Sequence, residues 1–138
     1  MTRCAHFPAV AIPTIASRLE RRFIVMSGDA NLVSRLREQL PPGWELTQAG
    51  DLDAVGGFEE ILQYRFLLLD LDDASGFDAL DTLRKARVDM MLNIPIFCFG
   101  GARAVRGQAR LARADRCFER DEIVARLGGF CEQFGWGG

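Results

Sequence analysis

Three short runs of this chain are apolar at every position: Phe23-Ile24-Val25-Met26, Phe66-Leu67-Leu68-Leu69 and Ile94-Pro95-Ile96-Phe97-Cys98-Phe99. A strand with one wet face alternates apolar and polar side chains. Continuous hydrophobicity marks a strand covered on both faces, as in a parallel sheet with helices above and below. Each run stops at small or acidic residues: Ser27-Gly28-Asp29, Asp70-Leu71-Asp72-Asp73 and Gly100-Gly101. In a parallel sheet such stops lie at the carboxyl ends of the strands, where ligands and chemistry collect.

The segments between the runs read as helices. Leu32, Val33, Leu36 and Leu40 fall at helical spacing until Pro41-Pro42-Gly43 ends the pattern. Trp44-Glu45-Leu46-Thr47-Gln48-Ala49 alternates, as a more exposed second strand would, and a weak helix over residues 52–62 is interrupted by Gly56-Gly57. Beyond Gly76, the residues Phe77, Leu80, Leu83 and Val88 mark another helix, and Val105, Ala109 and Ala112 mark the next. Cys117-Phe118 gives a short fifth strand. Ile123 and Leu127 open a last helix that the glycines at 128, 129, 135, 137 and 138 are expected to leave poorly defined. Strands alternating with helices predict an α/β fold, a doubly wound five-stranded parallel sheet in a three-layer α/β/α arrangement.

At 138 residues, 49% of them hydrophobic, the chain suits one domain, since domains take roughly 100 to 200 residues. Its 17 basic side chains nearly balance 19 acidic ones, so no whole-chain positive field favours nucleic acid or an anionic membrane. No apolar run approaches the roughly 20 residues that span a bilayer. The apolar stretch over residues 5–16 contains Pro8 and Pro13 and is read as part of an N-terminal extension, residues 1–20, ahead of a folded domain over 21–138. Cys4, Cys98, Cys117 and Cys131 form no C-x-x-C pair, which argues against structural zinc and fits a reducing cytoplasm. The last three sit among apolar neighbours, as free thiols acting as small hydrophobes do. The one histidine, His6, falls in the extension, so a Ser-His-Asp or Cys-His centre would have to be built from a tail. Neither G-x-G-x-x-G nor a P-loop motif occurs.

Phe66-Leu67-Leu68-Leu69-Asp70-Leu71, followed by Gly76 and a helix, resembles the strand of bacterial response-regulator receiver domains that ends in the phosphoaccepting aspartate. Residues 94–99 resemble the next core strand of that family, and Ala114-Asp115-Arg116-Cys117-Phe118 the approach to the last one. The resemblance, which extends to the single-domain chemotaxis receivers, covers about residues 21–134. It implies a flavodoxin-like fold with Asp70 at the phosphoacceptor position.

Phosphoryl transfer to such a carboxylate depends on charge neutralisation and in-line positioning, so the surrounding positions matter. The resemblance places the family's Mg²⁺-holding acids on Ser27 and Gly28, neither of which has a carboxylate. Asp29 lies one position late, where a helix cap is its expected role; a weak Mg²⁺ site from Asp29, Asp70 and Asp72 is the alternative. The family's phosphate-binding hydroxyl falls on Gly100, its lysine on Arg120, the proline after it on Asp121, and its mobile aromatic ring on Cys117. Arg120 keeps the charge in a planar fork that grips a carboxylate at two points. The exchange reflects either arginine-rich coding, 16 of the 17 basic residues being Arg, or a permanent Arg120 to Asp70 ion pair.

With no hydroxyl at Gly100 and no ring at Cys117, the resemblance implies a degenerate receiver, or pseudo-receiver. The expectation is a stand-alone, cytoplasmic, non-enzymatic module of bacterial signal transduction that binds other proteins, a histidine kinase or regulator among them. No resident cofactor or metal is expected. Two alternatives stay open: a receiver still accepting phosphate on Asp70 with a weakened Mg²⁺ site, and a small-molecule or anion sensor built on Gly100, Arg120 and Asp70. Arg103, Arg106, Arg110 and Arg113 recur at three- and four-residue spacing, on one face of a helix. That face reads as a solvated surface, or as a docking surface for an acidic partner or for a second copy in a homodimer.

Overall fold

Five parallel strands form: β1 (Arg21–Met26), β2 (Trp44–Gln48), β3 (Leu67–Asp70), β4 (Ile96–Phe99) and β5 (Arg116–Phe118), in the order β2-β1-β3-β4-β5. The computed structural model describes residues 20–72 and 78–135, so the readings that fell on Cys4, His6, the extension ahead of residue 20, Asp73, Gly76, Phe77, Gly137 and Gly138 lie outside the described residues. The register sets Ile24 beside Leu67, Leu67 beside Ile96, and Asp70 beside Phe99, which in turn lies beside Phe118.

Alternate residues of each central strand enter opposite layers, which is why the runs are apolar throughout. Phe23, Val25, Phe66, Leu68, Phe97 and Phe99 face one layer. There they meet Leu32, Val33 and Leu36 of α1 (Ala30–Glu38) and Ile123, Leu127 and Phe130 of α6 (Arg120–Gln133). Ile24, Met26, Leu67, Leu69, Ile96 and Cys98 face the other. Its cover is Leu52 of α2 (Leu52–Val55), Ile61 of α3 (Phe58–Ile61), Ala79 and Leu83 of α4 (Ala79–Arg84) and Ala109 of α5 (Arg103–Leu111). In the first layer Phe66 stacks on Phe23 at 4.7 Å between ring centroids and Phe97 on Phe130 at 4.6 Å. Offset ring pairs of this kind add about 0.5–1.5 kcal/mol beyond their burial.

Three expectations change in the details. The weak helix over residues 52–62 is two short helices, α2 and α3, because Gly56 turns the chain at φ 146°, which L side chains rarely adopt. Val88 is 64% exposed rather than packed. After α4, residues Lys85–Asp89 make one π-helical turn, closed by the Met90 N–H donating to the Lys85 carbonyl at 2.9 Å. The wider turn shifts the phase, so Ala86 is buried and Val88 faces out. The last helix is continuous over 14 residues, glycines included. Ile123, Leu127, Phe130 and Cys131 bury one stripe of it, and tertiary packing outweighs the poor propensity of Gly128 and Gly129.

Cys98 and Cys131 are buried free thiols, and burial pushes them up to about 12 and about 11 respectively, out of reach of thiolate chemistry near neutral pH. Cys117 is only half-buried, because β5 edges the sheet.

Gly128 and Gly129 are exposed, and a Cβ at either would meet nothing within 4 Å. Replacing each with Ala is expected to stabilise the protein by about 0.5–1 kcal/mol through unfolded-chain entropy and helix propensity. Urea unfolding of the single variants and of the double variant checks this, the two increments adding.

Candidate functional site

The chain leaves β1 outward to β2 and then returns to β3 on the other side of β1, so the direction of winding reverses between β1 and β3. Connections diverge at such a reversal and leave a crevice beyond the carboxyl ends of the two strands. Ser27 follows β1 and Asp70 ends β3, and both are buried there, Asp70 at 1% exposure.

Arg120, the first residue of α6, reaches back over this crevice. Its Nη1 donates to Asp70 Oδ1 at 2.7 Å and its Nη2 to Asp70 Oδ2 at 2.9 Å, a two-point grip. Ser27 Oγ donates to Asp70 Oδ2 at 2.7 Å, and the Asp72 N–H donates to Oδ1 at 2.9 Å. A carboxylate has about four lone-pair sites. All four of Asp70's are therefore matched by donors.

The guanidinium has two further acceptors. Nη2 donates to Asp29 Oδ2 at 2.7 Å and Nη1 to Asp72 Oδ2 at 3.3 Å. Asp29 does two jobs, since its Oδ1 accepts the Leu32 N–H at 3.1 Å and caps α1. Asp72 Oδ1 accepts the Gly101 N–H at 2.9 Å and so ties the end of β3 to the turn after β4. The plane of Arg120 also lies over the Phe99 ring, 5.5 Å from its centroid. Asp70 and Asp29 hold the guanidinium protonated well above its ordinary value, the Asp70 hydrogen bonds foremost. The Arg120 hydrogen bond is likewise the main reason Asp29 titrates below its ordinary 3.8.

Gly100 is fixed by geometry. It sits at φ 74°, and a Cβ there would run into the Asp72 carboxylate and approach Arg120 Nη1 to 3.5 Å. Its N–H donates to the Phe118 carbonyl at 3.0 Å. Arg106 fastens the same turn from outside, its Nε donating to the carbonyls of Gly100 and Gly101 at 3.1 and 3.0 Å and its fork gripping Glu119 at 2.9 and 3.3 Å.

All five residues singled out in the sequence, Asp29, Asp70, Asp72, Gly100 and Arg120, thus meet in one cluster. Ser27 was missed as a donor to Asp70. The signal was available: it is the first polar residue after the strand that neighbours β3. The arginine row on α5 is not uniform. Arg106 is committed to Glu119 and the glycine turn, Arg113 donates to the Arg87 carbonyl at 3.0 Å, and Arg103 and Arg110 stay exposed.

A five-stranded parallel sheet in this order, with a buried aspartate ending β3 and a cation reaching it from the helix after β5, has the fold of signal receiver domains. No protein-family model and no curated protein matches the sequence. Solved structures do match in fold. The signal receiver domain of a DNA-binding response regulator from Colwellia psychrerythraea 34H superposes with a TM-score of 0.62 at 15% identity over 82% of this chain and 99% of that one. The phosphorylated cyanobacterial phytochrome response regulator RcpA superposes with a TM-score of 0.66 at 12% identity over 86% and 96%. A Burkholderia pseudomallei response regulator, solved with a phosphorylated aspartic acid and a calcium ion, gives 0.56 at 18% over 82% and 72%.

Two outcomes test the cluster. Gly100→Ala is expected to lower stability by at least about 1 kcal/mol, because the left-handed backbone alone costs a side chain about 1–2 kcal/mol before the collision with Asp72. Asp29 should titrate below 3.8, its charge adding stability above that pH which is lost as the pH falls through the folded-state value. With a side chain 37% exposed, its contribution is small. Carboxyl NMR titration of the protein and of Arg120→Gln reads this directly, Asp29 moving back up toward 3.8 in the variant.

Proposed function

We propose that this chain is a degenerate receiver: a signal-transduction module that acts by binding other proteins and is not switched by phosphorylation of Asp70. The observation that carries this reading is the saturation of Asp70. An attacking carboxylate must present a lone pair to the incoming phosphorus, and here Ser27, the Asp72 N–H and both arms of Arg120 engage all of them.

The remaining residues of the pocket point the same way. Receivers of this fold draw on Mg²⁺, which wants carboxylate oxygens and waters in near-octahedral array at short range. In this pocket Asp29, Asp70 and Asp72 converge on the Arg120 guanidinium, so the donor set suits a planar cation and would admit Mg²⁺ only with Arg120 expelled. A phosphoryl group would find no hydroxyl at Gly100, and the N–H groups of Gly100 and Gly101 already donate to Phe118 and Asp72. The same engagement makes these two N–H groups unavailable to an anion.

The partner class is a protein of a two-component pathway, a histidine kinase or a regulator. Self-pairing through the α5 face would oppose Arg103 and Arg110 of one copy to those of the other, and like charges across an isologous interface repel. A partner with an acidic surface suits that face better.

Incubation with acetyl phosphate and Mg²⁺ followed by intact mass measurement is expected to show no adduct. An added phosphoryl group that Asp70→Asn abolishes would overturn the proposal. Arg120→Ala gives the complementary result. Stranding the buried Asp70 charge should cost about 3 kcal/mol, and Mg²⁺ should raise the melting temperature of the variant while leaving that of the parent protein unchanged.

A further inference from the structure

At the end of the sheet opposite Asp70, where β4 and β5 begin, Val88, Met91 and Leu111 stand 64%, 73% and 87% exposed. They line two adjoining grooves of about 520 and 280 Å³ that share Val88 and Arg113, between the π-helical turn and the end of α5. Single exposed apolar residues need no explanation, whereas three gathered along grooves do.

The backbone beneath them is held in unusual conformations. Met91 at φ 52° and Arg113 at φ 74° are the only non-glycine residues with positive φ among those described. Strained backbone of this kind persists where its surroundings over-determine it, and it concentrates at binding sites. Arg87 supplies the restraint. Its Nη1 donates to the Leu92 and Ile94 carbonyls at 2.8 and 2.9 Å, its Nε to the Arg113 carbonyl at 3.0 Å, and its Nη2 to Asp115 at 2.7 Å. The π-helical turn, itself a device frequent at functional sites, swings Val88 outward into the same place. The floor of the grooves is thus rigid and its apolar side chains are displayed.

The rim is positive. Arg84, Arg87 and Arg113 line the grooves with one acid, Asp115, whose carboxylate is taken by Arg87 and by the Ile96 N–H at 2.7 Å. We propose that this face docks an acidic amphipathic helix of another protein, its large apolar side chains seated on Val88, Met91 and Leu111 and its carboxylates against Arg84 and Arg113. The chain's own residues 1–19 carry Arg3 and Arg18 and no acid, the wrong charge for this rim. A second copy would bring two arginine-rimmed grooves together. The inference rests on the reading of the chain as a protein-binding module, but the groove lies at the far end of the sheet, so the phosphodonor result does not decide it.

The test titrates the full chain into two fluorescein-labelled synthetic helices. One has leucines at i, i+3, i+4 and i+7 and glutamates elsewhere; the other has lysines in place of the glutamates. The glutamate peptide is expected to bind at least about tenfold more tightly at low salt, with the difference shrinking as salt rises. Leu111→Glu, at a position too exposed to disturb the core, should weaken it at least about tenfold, and Phe58→Glu, at an exposed apolar residue elsewhere, should leave it unchanged. Circular dichroism confirms that both variants fold. Absence of binding, equal affinity for the two peptides, or indifference to Leu111→Glu would overturn the proposal. So would a free chain that sediments as a dimer and is dissociated by Leu111→Glu, which would assign the face to a second copy.

Discussion

Asp70 is the only charged side chain among the described residues that is buried. Taking a lone carboxylate out of water costs several kcal/mol even after relaxation, so its surroundings have to neutralise it and satisfy its oxygens together. Arg120 does the first through a two-point grip, and Ser27 and the Asp72 N–H complete the second. The rest of the carboxyl-end architecture follows from that requirement. Arg120 must begin α6 to reach the end of β3, Asp29 must cap α1 where it can hold the second side of the guanidinium, and position 100 must lack a Cβ so that Asp72 can sit where it does.

The same arrangement decides what the pocket can do. A carboxylate used as a nucleophile needs an open lone pair and a mobile counter-ion, and stability asks for the reverse. With a lysine, whose compact ammonium turns on a flexible stem, one oxygen of the acid would stay open to another cation. The planar fork of Arg120 covers both oxygens at once. Ser27 deepens the difference: where a carboxylate would hold a metal, a hydroxyl both donates to Asp70 and accepts the Asp29 N–H at 3.1 Å, which closes the network on itself. The result is an ion cluster whose donors and acceptors satisfy one another.

The strands and their order of burial were legible because a strand covered on both faces has no choice but to be apolar throughout, and residues 66–69 and 94–99 offered no other reading. The polar stops after these runs located the five clustered residues for the same reason, since a polar group at a strand end in a parallel sheet has one crevice to enter. Other features depended on competition that a sequence does not display. Gly128 and Gly129 suggested a frayed helix, yet one apolar stripe in register with Phe97 and Phe118 was enough to hold it. Val88 fell on the apolar side of an ideal helix, but the change to five-residue closure at Lys85 moved it to the surface. Ser27 was read only as a missing carboxylate, because which group a strand-end hydroxyl donates to depends on the neighbour it faces, and Asp70 is 43 residues away.

Helix α5 connects the two ends of the sheet. At its start Arg106 clamps the Gly100-Gly101 turn and Glu119; past its last turn Arg113 and Arg87 each donate from the side chain to the other's carbonyl at 3.0 Å. In a domain that signals by moving, the element beyond β4 would be free to shift when the pocket changes, and a bistable segment would be needed to carry the change. Here both ends of that element are fastened by charged groups already committed to carbonyls and carboxylates. An element tied at both ends is preorganised, and a preorganised surface loses less entropy on binding than one that must order itself. Arg120 on Asp70, Arg106 on the glycine turn and Arg87 on the Arg113 carbonyl thus do the same kind of work, each tying segments that are distant in the sequence.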